Sequence, residues 1–127
     1  MELVMDPKAI YEEAFEAANA AADACMPMPM VVGQAVGFSN FMVPGTMEFV
    51  ADGVCGFAWV KIRPARGEFV KFCKANNIGY RDDYAGGYLI SMRQGNQSMQ
   101  RKEAAGRAFA AVLVKHGIKA HMQSRMD

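Results

Sequence analysis

The chain contains 127 residues, of which 52% are hydrophobic and 21% are charged. A chain of this length and composition buries a core without metal or disulfide support, and it is too hydrophobic to be intrinsically disordered. No segment approaches the roughly 18 consecutive apolar residues of a transmembrane helix, so we expect no membrane partner. We predict one domain over residues 1–127, in which residues 1–30, a helix and a Met/Pro loop, are the most peripheral part.

Charged residues are distributed unevenly along the sequence. Residues 1–60 hold eight acids and one base, Lys8, whereas residues 61–127 hold thirteen bases and five acids. Such asymmetry is typical of proteins that have a polyanionic partner, an acidic interaction surface or a tendency to self-associate. Pairing of the two halves within one fold explains it equally well.

Residues 7–25 are predicted to form the first helix. Asp6 suits the N-cap and Pro7 suits the first turn. The buried stripe of this helix consists mostly of alanine, which lets the helix lie close to its neighbour. We expect the opposite side to be a solvated acidic face formed by Glu12, Glu16, Asn19 and Asp23.

A weak strand is predicted next, at residues 31–38. The strongest local signal follows, because the arms 46–51 and 54–62 flank Asp52-Gly53, a two-residue turn typical of β-hairpins. The longer arm alternates and presents two sets of side chains to opposite sides: Gly56, Ala58, Val60 and Ile62 against Cys55, Phe57, Trp59 and Lys61.

Two further helices and two further strands are predicted downstream. Pro64 ends the strand and opens a helix that stops at residues 76–79, and a strand follows at 88–92. Ser98 is the N-cap of the strongest helix, 99–116, and the last segment of the chain alternates again. The predicted order is α-β-β-β-α-β-α-β. This order indicates an α+β domain with one sheet of four to five strands and with helices packed on it.

The sequence contains no motif of known chemistry. It has neither a glycine-rich phosphate loop nor histidines paired at helical spacing, and its three cysteines are too widely spaced for a metal site. We therefore predict no catalytic residue, no metal ligand and no cofactor, and a binding protein in preference to an enzyme. A nucleophilic pair of Cys55 and His121 would need adjacent strands, and a structural cysteine beside a surface histidine is the favoured alternative.

Arg63 and Arg66 are the candidate anion-binding residues. They stand in the 63–67 segment at a predicted helix N-terminus, where free backbone N–H groups favour anions. Pairing of both arginines with carboxylates from the acidic half is the favoured alternative. A further alternative is a small-ligand pocket that the same arginines form with Tyr84 and Tyr88 under the loop of residues 82–87.

A second candidate site is one face of the predicted sheet. Aromatic, basic and polar side chains would share this binding face, namely Phe57, Trp59, Lys61, Tyr88, Lys119, His121, Gln123 and Arg125. Sheets that bind single-stranded nucleic acid use such surfaces to stack bases and to neutralise phosphates. In the alternative arrangement the first helix covers Phe57 and Trp59, which then belong to the core.

Several stretches of the sequence carry a family resemblance. They are CGFAWV at 55–60 running into RPARG at 63–67, GGY at 86–88, NQSMQRKEA at 96–104 and QSRMD at 123–127. Over roughly residues 50–127 the chain resembles a group of small uncharacterised proteins encoded by tailed bacteriophages and prophages. The resemblance implies no activity and no catalytic residues. It implies a viral protein that acts in a bacterial cytoplasm or is built into a virion.

These features favour a phage-encoded, non-enzymatic binding protein whose partner is a host or phage protein or single-stranded nucleic acid. The alternatives are a virion or assembly protein that forms homo-oligomers, and a small-ligand binder or small enzyme. The N-terminal residues lack the basic segment of a signal peptide, and the cysteines show no disulfide framework. We therefore expect the host bacterial cytoplasm, or the virion, as the location.

Overall fold

The fold is known from a computed structural model, which describes residues 6–26, 30–32, 48–50, 55–94 and 98–126. The elements in chain order are α1 (Pro7–Ala24), β1 (Met30–Val32), β2 (Glu48–Val50), β3 (Gly56–Ile62), α2 (Glu68–Ala75), β4 (Tyr80–Arg81), β5 (Tyr88–Ser91), α3 (Met99–Lys115) and β6 (Ala120–Met126). This mixture of helices and antiparallel strands confirms the predicted α+β class. The short strand β4 is an addition to the predicted order.

The main sheet has four strands in the order β4-β5-β3-β6, and all neighbouring strands run antiparallel. The strand β3 lies inside this sheet, so that Trp59 is opposite Ser91 on β5 and opposite Gln123 on β6. The strand β6 pairs with β3 along the whole length of both strands. A separate two-stranded antiparallel sheet is formed by β1 and β2.

The hairpin predicted between residues 46–51 and 54–62 is not formed by the described strands. The strand β2 pairs with β1, whereas β3 pairs with β5 and β6. Asp52 and Gly53 of the predicted turn lie outside the described residues. The Asp-Gly turn is favoured only by the local sequence. The seven-residue ladder with β6 satisfies more backbone N–H and C=O groups of β3 than pairing with the three residues of β2 would.

Side-chain caps set the beginnings of α1 and α3 where the sequence predicts them. The carboxylate of Asp6 accepts a hydrogen bond from the backbone N–H of Ala9 at 3.0 Å. The hydroxyl of Ser98 accepts one from the backbone N–H of Arg101 at 3.3 Å. Each cap satisfies an N–H group that has no partner within its own helix.

The helix α2 begins later than predicted, at Glu68 instead of Pro64. Gly67 precedes it with a φ of 108°, a backbone conformation that cannot belong to a right-handed helix. The residues between Pro64 and Gly67 therefore form a bend that connects the end of β3 to the helix.

The core lies between the helices and one side of the main sheet, which we call the inner face. Its buried members are Val60, Ile62, Tyr88, Ile90 and Met92 from the sheet region, Ala105, Phe109, Ala110 and Leu113 from α3, Phe69, Val70 and Cys73 from α2, and Ile10, Ala14, Ala18 and Ala22 from α1. The helix α3 lies close against the inner face, since a Cβ atom at Gly106 would approach Met122 Cγ to 2.6 Å.

The helix α1 packs on α3 and α2. The rings of Tyr11 and Phe109 meet edge to face, with centroids 6.0 Å apart. The Arg101 guanidinium donates a hydrogen bond to the backbone carbonyl of Ala22 at 2.9 Å. These contacts place α1 on the inner side of the sheet. The alternative in which α1 covers Phe57 and Trp59 is therefore wrong.

Candidate nucleic-acid interface

The second side of the main sheet, the outer face, carries most of the predicted binding residues. Side chains directly opposite each other on neighbouring strands lie on the same side of a sheet. Three cross-strand pairs share the outer face: Phe57 with Arg125, Trp59 with Gln123, and Lys61 with His121. Alternation along β3 and β6 was sufficient to predict this arrangement.

Phe57 is available to a ligand on the outer face, because it is 43% exposed. Two cations approach its ring. The Lys102 ammonium and the Arg125 guanidinium each lie 5.4 Å from the ring centroid. This distance permits cation–π attraction. The outer face therefore presents an exposed aromatic ring with two positive charges close to it.

Lys102 was not predicted as part of this site. It lies on α3, where the basic residues show no common face in the sequence. In the structure its ammonium donates a hydrogen bond to the carbonyl of Gly56 at 3.3 Å, which brings it to the edge of the sheet beside Phe57. Only the tertiary approach of α3 to β3 reveals this role.

Trp59 lies beside Phe57 on the outer face and is partly buried. Its indole N–H donates a hydrogen bond of 2.8 Å to the side-chain carbonyl of Gln123. Ser91, which lies opposite Trp59 on β5, and His121 on β6 are exposed. The face thus combines aromatic rings with groups that can donate and accept hydrogen bonds.

Lys61 lies on the outer face as predicted, but it is only 4% exposed and is not accessible to a ligand. Its ammonium is 3.7 Å from the carboxylate of Asp82, in the loop between β4 and β5. Gly87 packs on its side chain, since a Cβ atom there would lie 2.8 Å from Lys61 Cε. Lys61 therefore forms an ion pair with Asp82 of the loop within the fold.

The predictions for Tyr88 and Lys119 need correction. Tyr88 lies opposite Ile62 and points to the inner face, where it is 2% exposed and donates its hydroxyl to the carbonyl of Ile78. Burial raises the pKa of this hydroxyl. Lys119 is exposed, but it precedes β6 and its backbone carbonyl accepts the N–H of Arg63 at 3.2 Å. It belongs to the end of the sheet, not to the paired rows of the outer face.

Arg63 lies five residues before the start of α2 at Glu68, whereas Arg66 directly precedes the N-cap Gly67. The Arg63 guanidinium donates a hydrogen bond of 2.8 Å to the backbone carbonyl of Ala85. This partner is a carbonyl and not a carboxylate of the acidic half. Arg66 is exposed in the bend before α2.

The small-ligand pocket proposed around these arginines is not assembled with the predicted tyrosines. Tyr88 is buried in the core, and Tyr84 is fully exposed at the tip of the loop. The loop itself is ordered by Asp82, whose carboxylate accepts the N–H groups of Tyr84 and Ala85 at 3.0 Å each. The N–H of Ala85, then that of Tyr84 and the Lys61 ammonium, hold the pKa of Asp82 below its usual range.

Cys55 and His121 do not form a nucleophilic pair. His121 lies opposite Lys61, six residues along β3 from Cys55, which corresponds to about 20 Å of strand. Cys73 is fully buried, and burial raises the pKa of its thiol to about 12. Within the described ranges, no three His, Cys, Asp or Glu side chains are grouped to hold a metal ion.

The acidic face of α1 lies on the side of the molecule away from the outer face. Glu12, Glu16 and Asp23 are exposed there, as predicted for a solvated face. Arg125, Lys102 and the other basic groups around Phe57 lie at the sheet. The two halves are also paired within the fold, because Glu13 of α1 forms ion pairs with Lys115 and His116 at the end of α3.

No family model, no curated protein and no solved structure matches the chain. Among the residues that the structure describes, no helix is both long enough and apolar enough to span a membrane.

Proposed function

We propose that this protein is a non-enzymatic binding protein whose outer face binds single-stranded nucleic acid. The observation that carries the proposal is the half-exposed ring of Phe57 with the cations of Lys102 and Arg125 close to it. A base stacks on an exposed aromatic ring, and flanking cations pair with the phosphates on either side of it.

Polar groups farther along the outer face suit the same ligand. The side-chain amide of Gln123, the imidazole of His121 and the hydroxyl of Ser91 lie within the rows of β6 and β5 that flank β3. Such groups hydrogen-bond to the edges of unstacked bases. A base within a duplex has its faces covered by its neighbours, so the proposal is specific to single strands.

The proposed setting is the bacterial cytoplasm during phage infection. It rests on the resemblance of residues 50–127 to small phage and prophage proteins. A protein partner, from the host or the phage, is the competing occupant of the same face. If the protein binds no nucleic acid but binds one purified host protein, the outer face is assigned to that protein.

Self-association is a second candidate function, favoured by the exposed acidic residues Glu12, Glu16 and Asp23 of α1. The acidic face of α1 on one copy and the basic outer face of the next copy are complementary. A contact of this kind is head-to-tail and produces rings or filaments. Light scattering across a salt series tests it: particles that grow at low salt support assembly, and a monomer at all salt concentrations opposes it.

Fluorescence anisotropy with a labelled single-stranded uridine 12-mer tests the main proposal. We expect saturable binding that weakens about tenfold between 50 and 200 mM salt, because two or three phosphate contacts release counterions. A duplex of the same length should bind more weakly. Equal binding of duplex and single strand would contradict a stacking surface.

A further inference from the structure

A second basic cluster lies at the end of the main sheet, next to the loop of residues 82–87. Arg63, Arg81 and Lys119 line one cleft of about 660 Å³, together with Asp82 and Asp83 of that loop. The three cations come from different parts of the chain, the end of β3, the edge strand β4 and the residue before β6. The sequence placed Arg63 beside this loop but gave no reason to group it with Arg81 and Lys119.

The positions of Arg63 and Lys119 are fixed by the backbone. The N–H of Arg63 donates to the carbonyl of Lys119 at 3.2 Å, which holds the ends of β3 and β6 together. The Arg63 guanidinium is oriented by its hydrogen bond to the carbonyl of Ala85. A guanidinium has five N–H donors, so this bond leaves others for a ligand.

The balance of charge in the cleft is positive. The carboxylate of Asp82 is already used, because it accepts the N–H groups of Tyr84 and Ala85 and faces the Lys61 ammonium. Its charge is thereby largely compensated within the loop. Among the described residues of the lining, Asp83 is then the carboxylate left to oppose the three cations.

The loop leaves space for a ligand at Gly86. A Cβ atom at this position would meet no heavy atom within 4 Å, so the backbone is open to the cleft. The N–H of Gly86 already donates to the carbonyl of Asp82 at 2.9 Å, so it is not available to a ligand. Recognition would therefore come from the Arg and Lys side chains.

A neighbouring cleft of about 470 Å³ shares Arg63 and Lys119. It is lined by Val114 and Gly117 at the end of α3 and by His121 of the outer face. The backbone of a strand on the outer face could follow a path over His121 to these cations. Guanidinium and ammonium groups at the end of the path suit the oxygens of a phosphate.

We infer that the cleft lined by Arg63, Arg81 and Lys119 is a phosphate-binding site. The chemical group recognised is a phosphate, carried either by the strand on the outer face or by a free phosphorylated small molecule. The first source rests on the proposed function, whereas the second does not.

The test uses the ¹⁵N-labelled full chain titrated with inorganic phosphate at constant ionic strength, with chloride as reference. We expect phosphate-specific shifts of the Gly86 amide and the Arg63 side-chain N–H. Arg81→Gln and Lys119→Gln should each weaken phosphate binding about five- to tenfold. Lys71→Gln is the matched control, because Lys71 is an exposed cation on α2. Circular dichroism confirms that each variant is folded.

Phosphate-specific shifts that Arg81→Gln and Lys119→Gln reduce and Lys71→Gln preserves support the inference. Shifts equal to those in chloride, or unchanged in Arg81→Gln, overturn it. The uridine 12-mer identifies the source: weaker strand binding by Arg81→Gln assigns the phosphate to the strand, and unchanged strand binding assigns it to a small molecule. Phosphate binding without any strand binding would refute the proposed function and leave this inference standing.

Discussion

Arg125 lies directly opposite Phe57 across the β3–β6 ladder, with its guanidinium carbon 5.4 Å from the centroid of the phenyl ring. This pair joins the two properties that a single-strand site needs, an aromatic surface and a positive charge, at one point of the sheet. The helices pack on the inner face and leave the pair accessible, since Phe57 is 43% exposed.

Replacing Phe57 with Ala should weaken binding of the uridine 12-mer by about 1–3 kcal/mol, roughly five- to 150-fold, because the stacking platform is removed. The matched control is Phe15→Ala. Phe15 is 44% exposed but lies on α1, on the inner side of the sheet. Anisotropy titrations of both variants check the prediction. An equal loss of affinity in the two variants would contradict a role specific to Phe57.

The ion pair of Lys61 and Asp82 should stabilise the β4–β5 loop. Asp82→Asn keeps the oxygen that accepts the N–H groups of Tyr84 and Ala85 but removes the charge opposite the buried Lys61 ammonium. An uncompensated buried charge is destabilising, so we expect a lower Tm. Lys61→Met added to Asp82→Asn should recover most of the loss. A double variant no more stable than Asp82→Asn would argue against the pair.

The contact between α1 and the end of α3 should depend on pH. Glu13 accepts hydrogen bonds from Lys115 and from His116, the latter at 2.9 Å, and these partners lower the pKa of its carboxyl. A carboxyl whose pKa is lower in the folded state contributes stability above its unfolded pKa and loses it as the pH falls through the folded value.

The advantage of the wild type over Glu13→Gln in thermal unfolding should therefore be full at pH 7. It should decrease as the pH falls below about 4.5, the ordinary pKa of the carboxyl of an unfolded glutamate. Lys71→Gln at the exposed pair with Glu68 is the control and should change little. A difference between wild type and Glu13→Gln that is the same at pH 7 and pH 3 would contradict the contact.

Gly106 lets α3 lie close to the sheet. A Cβ atom there would lie 2.6 Å from Met122 Cγ, so Gly106→Ala should destabilise the fold. Overpacking costs about 1–3 kcal/mol and exceeds the gain of up to about 1 kcal/mol in helix propensity. Chemical denaturation measures the change. Ala111→Gly, at an exposed site of α3, measures the difference in helix propensity between alanine and glycine. A more stable Gly106→Ala variant would show that α3 has room to move.

The predictable part of the fold and site came from periodic patterns and from capping residues. Alternation along β3 and β6 placed Phe57, Trp59, His121, Gln123 and Arg125 on one surface without knowledge of the strand order. Caps are equally local, and the α1 and α3 starts were therefore predicted correctly.

The features that the sequence did not predict depend on tertiary pairing. Asp52-Gly53 is a strong local turn signal, yet the partners of β3 are β5 and β6, which are distant in sequence. The side of the sheet to which Tyr88 points depends on the register of a four-residue strand after two glycines with positive φ. Arg81 lies far from Arg63 and Lys119 along the chain, and only the end of the folded sheet brings these residues together.

The most direct test of the central claim uses the intrinsic fluorescence of Trp59, the one tryptophan of the chain, which lies beside Phe57 on the outer face. Titration with the uridine 12-mer at low salt should quench this fluorescence along the same binding curve that anisotropy gives, and added salt should reverse the quenching. Anisotropy that saturates while Trp59 fluorescence stays unchanged, or no binding at low salt, would contradict the account.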